Sequence, residues 1–440
     1  MTARGHGSGK VHMVWTRAIQ DGPMAGRPNA ARQIRAMLGS AGFTISESTI
    51  YPLTSRLTFG RIVGALCRLL ASLLRGRPLP LQCLLFGAHD QALRVVAELP
   101  DGCRLVYLDG VRCLQVLEAL RRTRPDLAVL TDLDDLMSRR MELLLELDEP
   151  PSTGYLKGQV PALAERLLGL RLPARIVLRY EAASLRIAER RVAALSDAVA
   201  LISTADAQLL CQRAPGHDVR SIPFAVNARP RHHRLLRPPF RFVFIGTDAL
   251  RQNQLTIDAL IALWRRENIA TPLVIFGEQH RHYDLPRFVS MPGYADTLEA
   301  VYDCHSILLT PSYMAGGVKT KVLEGFAFSV PVVGNAITFE SIQTGPDYPL
   351  LFGSEAAMLR LLHEPERYVD RFAAAVEIGG ATIHNHHNPG RVEQAWSDIA
   401  RAAMSRRSQL AGLAGSSDRR SGFTATKLYP PEPRREQSVQ

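Results

Sequence analysis

The stretch that most constrains the fold of this chain runs from Ser306 to Asn335. It begins with a short apolar run, Ile307–Leu309, and ends with a β-rich run, Val330–Val333, and both runs are typical of buried strands. Between them, apolar residues recur at helical spacing on one face: Val322, Leu323, Phe326 and Ala327. A strand, a glycine loop, a helix and a strand form a βαβ unit. Its loop is expected at the carboxyl edge of a parallel sheet, where open α/β sheets bind ligands.

The loop of this unit has the chemistry of an anion site. Gly316 and Gly317 allow backbone N–H groups to approach an anion closely. Lys319 and Lys321 place positive charge in the first helical turn, against the helix dipole, and a bound phosphate would explain this placement. Glu324 follows inside the helix, where a carboxylate can accept two hydroxyl groups of a sugar. The alternative is an ordinary βαβ packing unit with solvated lysines.

The run from Gly316 to Val333 resembles the nucleotide-sugar motif of GT-B glycosyltransferases, most closely that of family 4, the group 1 glycosyl transferases. The resemblance implies that Glu324 binds the ribose hydroxyls of the donor. Many members carry a first glutamate that contacts the transferred sugar, and Gly316 stands at that position here. The resemblance also implies a loop that holds the diphosphate, formed by Gly316, Gly317, Lys319, Thr320 and Lys321.

The same resemblance implies an α/β fold of the GT-B type, with two Rossmann-like parallel-sheet domains that face each other across a cleft. Gly246 and Arg251 would lie in the first loop of the second domain, with Arg251 against the donor phosphates. Lys319 would act catalytically by stabilising the departing diphosphate. No cofactor and no protein-bound metal are expected, because the nucleotide diphosphate sugar is a co-substrate. Transfer is expected to retain the anomeric configuration.

The 440 residues suffice for two or three domains, each with its own core. Pattern and resemblance together predict six segments. These are a flexible N-terminus (1–10), an N-terminal Rossmann-like acceptor domain (11–225), a linker (226–239), a C-terminal nucleotide-sugar-binding domain (240–390), a crossover helix (391–408) and a disordered basic tail (409–440).

The acceptor half opens with a predicted strand over residues 11–17, a loop over 18–29 and a helix over 30–40. Gly26, Arg27 and Asn29 lie in this loop, and the resemblance places it at the cleft. The loop glycines are not spaced as G-x-G-x-x-G, so no dinucleotide site is predicted. A cleft loop with Arg27 on the substrate and a plain surface loop both remain open.

Three further strand-like runs are predicted in this half: 81–86, 104–108 and 127–131. Asp109 follows the second run, and the acidic group Asp132, Asp134 and Asp135 follows the third. Carboxylates this close repel each other, so at least one is expected to have a raised pKa and to accept a proton from an attacking hydroxyl. Asp134 and Asp135 are the candidates for this base. Alternatively, the acidic residues pair with neighbouring arginines or cap the next helix.

Several predictions concern the rest of the chain. Helices are expected over 180–195, 256–266, 356–375 and 391–404, the last of them crossing back to the first domain. The histidines of segments 280–282 and 384–388 are expected in polar surface turns, since no carboxylate or cysteine set accompanies them as metal ligands. The six cysteines form no C-x-x-C pair, which favours reduced thiols in a cytoplasm.

A basic and apolar helix is predicted between Arg56 and Arg77. Arg61, Arg68 and Arg75 recur every seven residues, beside a broad face of leucine, isoleucine and valine. Such a helix suits an anionic membrane surface, but it equally suits a core helix with solvated arginines. The net charge of +11 and a basic tail also favour anionic partners, either phospholipid or nucleic acid. No platform of aromatic and basic residues that could bind nucleic acid is visible, so no nucleic-acid partner is expected.

These features and the resemblance predict a glycosyltransferase that moves a hexosyl group from a nucleotide diphosphate sugar to a hydroxyl acceptor. The acceptor is expected to be an oligosaccharide or, more specifically, lipid-linked, in bacterial exopolysaccharide or envelope glycan synthesis. The protein would be cytoplasmic and peripheral at the inner face of the cell membrane. The alternatives are a GT-B epimerase that uses the same donor site and a nucleic-acid-binding protein.

Overall fold

A computed structural model describes residues 9–17, 26–56, 58–149, 170–228 and 236–417. These residues form two sheets whose strands are all parallel, with helices packed on the sheets. The first sheet lies in the N-terminal half of the chain and the second in the C-terminal half. Each half buries its own apolar core. This architecture agrees with the predicted α/β class.

The first sheet has six strands in the spatial order β2-β1-β3-β4-β5-β6. Their bounds are β1 Lys10–Trp15, β2 Thr44–Thr49, β3 Cys103–Asp109, β4 Ala128–Asp132, β5 Ala198–Leu201 and β6 Val219–Ser221. β1, β3, β4 and β5 are almost entirely buried, as expected for parallel strands that carry helices on both faces. Because all strands run in the same direction, the loops after β1, β3 and β4 meet at one edge.

The helices of this half surround the sheet. They are α1 Gly26–Ser40, α2 Phe59–Leu74, α3 Leu81–Phe86, α4 His89–Ala97, α5 Leu114–Thr123, α6 Met137–Glu146, α7 Arg171–Leu195 and α8 Thr204–Arg213. Short 3-10 turns lie at Leu53–Arg56 and Val111–Cys113. α1 begins four residues before the predicted start at residue 30, so Gly26, Arg27 and Asn29 belong to its first turn and not to a loop. Pro28 fits there because a first-turn proline loses no helical hydrogen bond.

The second sheet has five strands in the order β11-β10-β7-β8-β9. Their bounds are β7 Arg241–Ile245, β8 Leu273–Phe276, β9 Val289–Gly293, β10 Ser306–Leu309 and β11 Val332–Val333. The helices between and after them are α9 Arg251–Glu267, α10 Leu298–Val301, α11 Thr320–Ala327, α12 Ala336–Phe339, α13 Glu355–His363 and α14 Val369–Thr382. The predicted βαβ unit is therefore β10, α11 and β11. Its four predicted core residues are all buried.

The last helix, α15 Pro389–Ser417, returns to the first domain as predicted. It packs on the first sheet, where the ring of Trp396 lies 6.1 Å from the ring of Tyr107 on β3. Arg407 forms a 2.7 Å ion pair with Asp197, which precedes β5. The helix continues past the predicted end at residue 408.

Three local predictions are wrong. The run Leu81–Phe86 is a helix and not a strand: it buries Cys83 and Phe86, three residues apart, and a short apolar run does not distinguish the two structures. The helix predicted over 356–375 is broken near Pro365, which cannot continue a helical hydrogen-bond ladder. The segment Ile383–His387 is a π-helical turn, not a surface turn, and its buried His387 contacts the carbonyl oxygen of Phe224.

Parts of the predicted segments lie outside the described residues: 1–8, 18–25, 57, 150–169, 229–235 and 418–440. The domain boundaries therefore stay a prediction. Within the described part of the chain, no helix is both long and apolar enough to cross a membrane.

Candidate functional site

The glycine loop between β10 and α11 exposes its backbone at the carboxyl edge of the second sheet. Gly316 and Gly317 have φ angles of +87° and +65°, in the left-handed region that only glycine adopts without strain. The loop thus turns tightly at the start of α11, the kind of backbone from which N–H groups can contact an anion. Thr320, the first residue of α11, is exposed beside this loop.

Lys319 holds the glycine loop from within. Its Nζ atom donates to the carbonyl oxygens of Met314 at 3.0 Å and Gly316 at 2.8 Å. Burial lowers the pKa of Lys319 to about 8, although the carboxylate of Glu340 acts in the opposite direction. The side chain thus braces the loop, and its charge is easily modulated near neutral pH.

Lys321 lies deeper, between α11, β7 and the start of α9. Its Nζ atom donates to Asn253 Oδ1 at 2.9 Å and lies 4.1 Å from the centre of the Phe244 ring, a cation–π contact. Burial, with the nearby charge of Lys319, lowers the pKa of Lys321 to about 7, against the influence of Glu324. A bound anion would favour the charged form.

Gly246 is required by the position of Asn253. A Cβ atom at Gly246 would lie 2.7 Å from Cγ of Asn253, closer than packing allows. Asn253 donates from Nδ2 to the carbonyl oxygen of Thr247 at 3.0 Å, so it joins the loop after β7 to Lys321. Asn253 was not predicted from the sequence, because an asparagine inside an amphipathic helix has no distinctive pattern.

Glu324 lies in the middle of α11 and is partly buried. Burial raises the pKa of its carboxyl group, while the charge of Lys321 lowers it. Glu324 and Lys321 are three residues apart, on neighbouring positions of one helix face. The lysine, the glutamate and the glycine loop therefore lie close together, and their role as one donor site stays a prediction.

Arg251 has a different immediate partner. It is the first residue of α9, and its guanidinium group makes a two-pronged pair with Glu149 at 2.7 and 2.8 Å. Glu149 follows α6 of the first domain, so this pair bridges the two halves of the chain. The contact of Arg251 with the donor phosphates stays a prediction.

The acceptor half contains a buried ion cluster centred on Arg27. Its guanidinium group lies 2.6 Å from Asp109 and 2.9 Å from Asp132, and 3.5 Å from Asp134. Tyr107 donates its hydroxyl hydrogen to Asp132 at 2.7 Å. Arg27 Nη1 has no hydrogen-bond partner among the described residues although it is buried. The structure thus brings together four predicted residues, whereas among the described residues the side chain of Asn29 makes no hydrogen bond or ion pair.

Asp134 is the strained member of the acidic group. Its φ angle of +66° is unusual for a residue with a side chain, and its N–H donates to Asp132 at 3.0 Å. Burial raises the pKa of Asp134 to about 7, with Arg27 opposing and Asp135 reinforcing the change. Asp135 itself pairs with Arg140, the structural alternative that its sequence context allowed. The role of Asp134 or Asp135 as a base stays a prediction.

The two halves of the site face each other across a closed cleft. A Cβ atom built on Gly316 would lie 3.5 Å from Leu143 of α6. Arg139 of α6 pairs with Asp206 of the same half and with Glu340 of the other half. The sequence does not predict the pair of Arg139 and Glu340, because no local pattern connects Glu340 to the glycine loop.

Within the described ranges, no group of three or more His, Cys, Asp and Glu side chains could hold a metal ion.

Two parallel-sheet domains that face each other form a GT-B-like fold. Residues 239–377 match the family model of group 1 glycosyl transferases. The match covers the second domain, which is therefore similar to the corresponding domain of group 1 glycosyl transferases. The matched residues therefore carry a glycosyltransferase-type domain.

Solved structures of low sequence identity share the fold. Sucrose-phosphate synthase from Thermosynechococcus elongatus is 15% identical with a TM-score of 0.52, and the match covers 94% of this chain and 100% of that one. HepE of Anabaena, solved in complex with UDP, is 10% identical with a TM-score of 0.51 over 92% and 100%. Against TarM the identity is 12% and the TM-score 0.43, over 67% of this chain. The chain spans about half, 54%, of TarM's length, and no argument rests on that match.

No curated protein sequence matches the chain.

Proposed function

We propose that this enzyme transfers a hexosyl group from a nucleotide diphosphate sugar to a hydroxyl of a lipid-linked acceptor in bacterial exopolysaccharide or envelope glycan synthesis. It would work at the inner face of the membrane and retain the anomeric configuration. The observation that carries the donor half of the proposal is the convergence of a left-handed glycine pair, two lysines with lowered pKa and Glu324 at one sheet edge. The fold shared with a protein solved in complex with UDP is consistent with it.

The donor site would work by electrostatic stabilisation. The N–H groups of the glycine loop would hold the diphosphate, while Lys319 and Lys321 would balance the negative charge that grows as the glycosidic bond breaks. Glu324 would accept hydrogen bonds from the two ribose hydroxyls. Because Lys321 is linked through Asn253 to the loop after β7, its position is fixed before the donor binds.

The acceptor hydroxyl would be deprotonated on the other side of the cleft. Asp134 has the raised pKa that a general base needs near neutral pH, and it retains 32% of its side-chain exposure. Arg27 forms ion pairs with Asp109 and Asp132 beside it. These two carboxylates would orient the acceptor loop, because both are already engaged by Arg27.

The membrane part of the proposal is supported by the outer face of α2. Phe59, Leu66, Leu70 and Leu74 are 83%, 54%, 59% and 88% exposed, and among the described residues of this helix only Ala65 is buried. A contiguous apolar surface of this kind is unusual unless it binds a partner. The alternative of a core helix on the sheet is therefore not favoured.

The arginines of α2 do not form the expected lipid-facing stripe. Arg61 forms a 2.5 Å ion pair with Asp90, and Arg68 donates to Gln115 at 2.8 Å, so both side chains turn toward the body of the domain. Arg75 and Arg77, at the end of the helix, are exposed and remain available to anionic headgroups. The proposed membrane contact therefore rests mainly on the apolar face of α2.

Donor binding and transfer can be tested in sequence. A thermal-shift panel of UDP-, GDP- and ADP-sugars first identifies the donor, which should raise the melting temperature through preferential binding to the folded state. The selected donor is then incubated with extracts containing lipid-linked glycans. Release of nucleoside diphosphate together with a new glycoside supports the proposal. An altered free sugar with no glycoside would instead indicate an epimerase.

A further inference from the structure

The N–H group of Gly316 donates a hydrogen bond to a side-chain carboxylate of the same domain. Glu340 Oε2 accepts a hydrogen bond from this N–H at 3.1 Å. Glu340 also has the largest favourable effect on the charged form of Lys319. The carboxylate of Glu340 therefore occupies the position in front of the Gly316 N–H group.

Glu340 is held in this position by both domains. It follows α12, whose first turn is fixed by a reciprocal cap between Asn335 and Thr338 and by the contact of Asn335 with the backbone of Ser312. From the other domain, Arg139 pairs with its Oε1 atom. Two carboxylates thus share Arg139: Glu340 across the cleft and Asp206, at 2.9 Å, within its own domain.

The segment after Glu340 lies along the first domain as well. Ser341 donates to Ser203 at 3.2 Å and Gln343 donates to Thr204 at 3.0 Å. These neutral bonds involve exposed or partly buried groups, so each contributes little. The charged pair of Glu340 and Arg139 is the stronger contact here, and it is the one that a competing anion can exchange.

We propose that Glu340 is an internal substitute for the donor diphosphate, and that the diphosphate displaces it and takes Arg139 as a ligand from the opposite domain. This inference rests on the proposed donor site. A phosphate oxygen and the Glu340 carboxylate cannot both occupy the position in front of the Gly316 N–H group without strong repulsion. Arg139 would keep its ion pair with Asp206 and exchange its ion pair with Glu340 for one with a phosphate group. A guanidinium group can bind a phosphate through two parallel hydrogen bonds. The first domain would thus contact the bound donor through Arg139.

Direct binding measurements on the full chain test this exchange. The probes are UDP, GDP, ADP and inorganic pyrophosphate, titrated calorimetrically into the parent, Glu340→Gln, Arg139→Gln and the double variant. Glu366→Gln, which removes one exposed carboxylate of the same domain, controls for the change in net charge. Glu340→Asp keeps the charge but shortens the side chain, and thermal melting checks that each variant is folded.

Glu340→Gln should bind the preferred probe about tenfold more tightly than the parent, which corresponds to about 1.4 kcal/mol. Glu340→Asp should also bind the probe more tightly than the parent. The affinity of Glu366→Gln should remain within about twofold of that of the parent. Arg139→Gln should weaken binding about tenfold in both the parent and the Glu340→Gln backgrounds. Pyrophosphate should show the same order, because the exchange concerns phosphate and not the base.

The outcomes separate this inference from the proposed function. If the parent binds a nucleoside diphosphate but neither Glu340 variant binds it more tightly, Glu340 is a structural contact and the inference is wrong. Tighter binding by Arg139→Gln would show that Arg139 only locks the cleft and does not bind phosphate. If no protein in the set binds any probe, the donor site itself is refuted, and the inference with it. Binding by Glu340→Gln alone would support the displacement most directly.

Discussion

Lys321 is a buried cation whose replacement should stabilise the fold while it damages the donor site. Its pKa is lowered from 10.5 to about 7, first by burial and second by Lys319. Lys321→Met keeps the length and most of the volume of the side chain and removes the charge. The sulfur-containing side chain can still pack against Phe244, which the ammonium group now contacts at 4.1 Å.

The magnitude follows from proton linkage. Between pH 7 and pH 10.5 the unfolded chain binds a proton at Lys321 that the folded protein has released, so the free energy of unfolding rises with pH across this window. At about 1.4 kcal/mol per pKa unit, the full penalty below pH 7 is about 5 kcal/mol. Residual solvent access and the bond to Asn253 reduce it, and we expect Lys321→Met to gain about 2–3 kcal/mol at pH 6.

Urea unfolding followed by circular dichroism at pH 6 and pH 9 measures this effect. The advantage of Lys321→Met over the parent should shrink as pH rises, while Lys10→Met, which removes an exposed ammonium group, should show no such trend. Donor affinity should fall in Lys321→Met and be unchanged in the Lys10 variant. Parallel stability curves for the parent and Lys321→Met would refute the assignment of a buried, weakly charged lysine.

Three further predictions concern the ribose ligand, the base and the membrane surface. Glu324→Ala should weaken nucleotide-sugar binding by about 2–3 kcal/mol, since two hydrogen bonds to a charged acceptor are lost, and an unchanged dissociation constant would contradict this. Because burial raises the pKa of Asp134, turnover of the parent should increase as pH rises through about 7, and Asp134→Asn should abolish transfer with donor affinity within about twofold; a flat pH profile argues against this base. Replacing Leu66, Leu70 and Leu73 by glutamine should release the protein from anionic vesicles in co-sedimentation, and equal pelleting would exclude α2 as the contact.

The sequence predicted the βαβ unit around the glycine loop because every local pattern there agrees. Strands buried on both faces are continuous apolar runs, and the helix between them repeats its apolar residues every three or four positions. The positive φ angles of Gly316 and Gly317 also have a purely local cause. Where local propensity, hydrophobic period and turn residues all predict the same structure, tertiary contacts rarely change it.

The errors arise where tertiary structure decides. Leu81–Phe86 is apolar enough for a strand, and its helical form depends on its packing against neighbouring helices. The direction of Arg61 and Arg68 depends on Asp90 and Gln115, which lie far along the chain. Glu340 reaches the glycine loop from the end of α12, and no sequence period records such a contact. Patterns along one element therefore located the site but not the residues that reach it from other elements.

Three groups in the cleft have pKa values displaced toward neutrality, and their arrangement links donor and acceptor chemistry. Lys319 and Lys321 lose charge by burial on the donor side, while Asp134 loses charge by burial on the acceptor side. A diphosphate between these sides would raise the pKa of both lysines, so donor binding should draw protons onto them. The restored positive charge would then offset the negative charge on the leaving group. Asp134, attached to the other domain, would face this charge only while the cleft is closed, so closure and proton transfer would depend on the same donor.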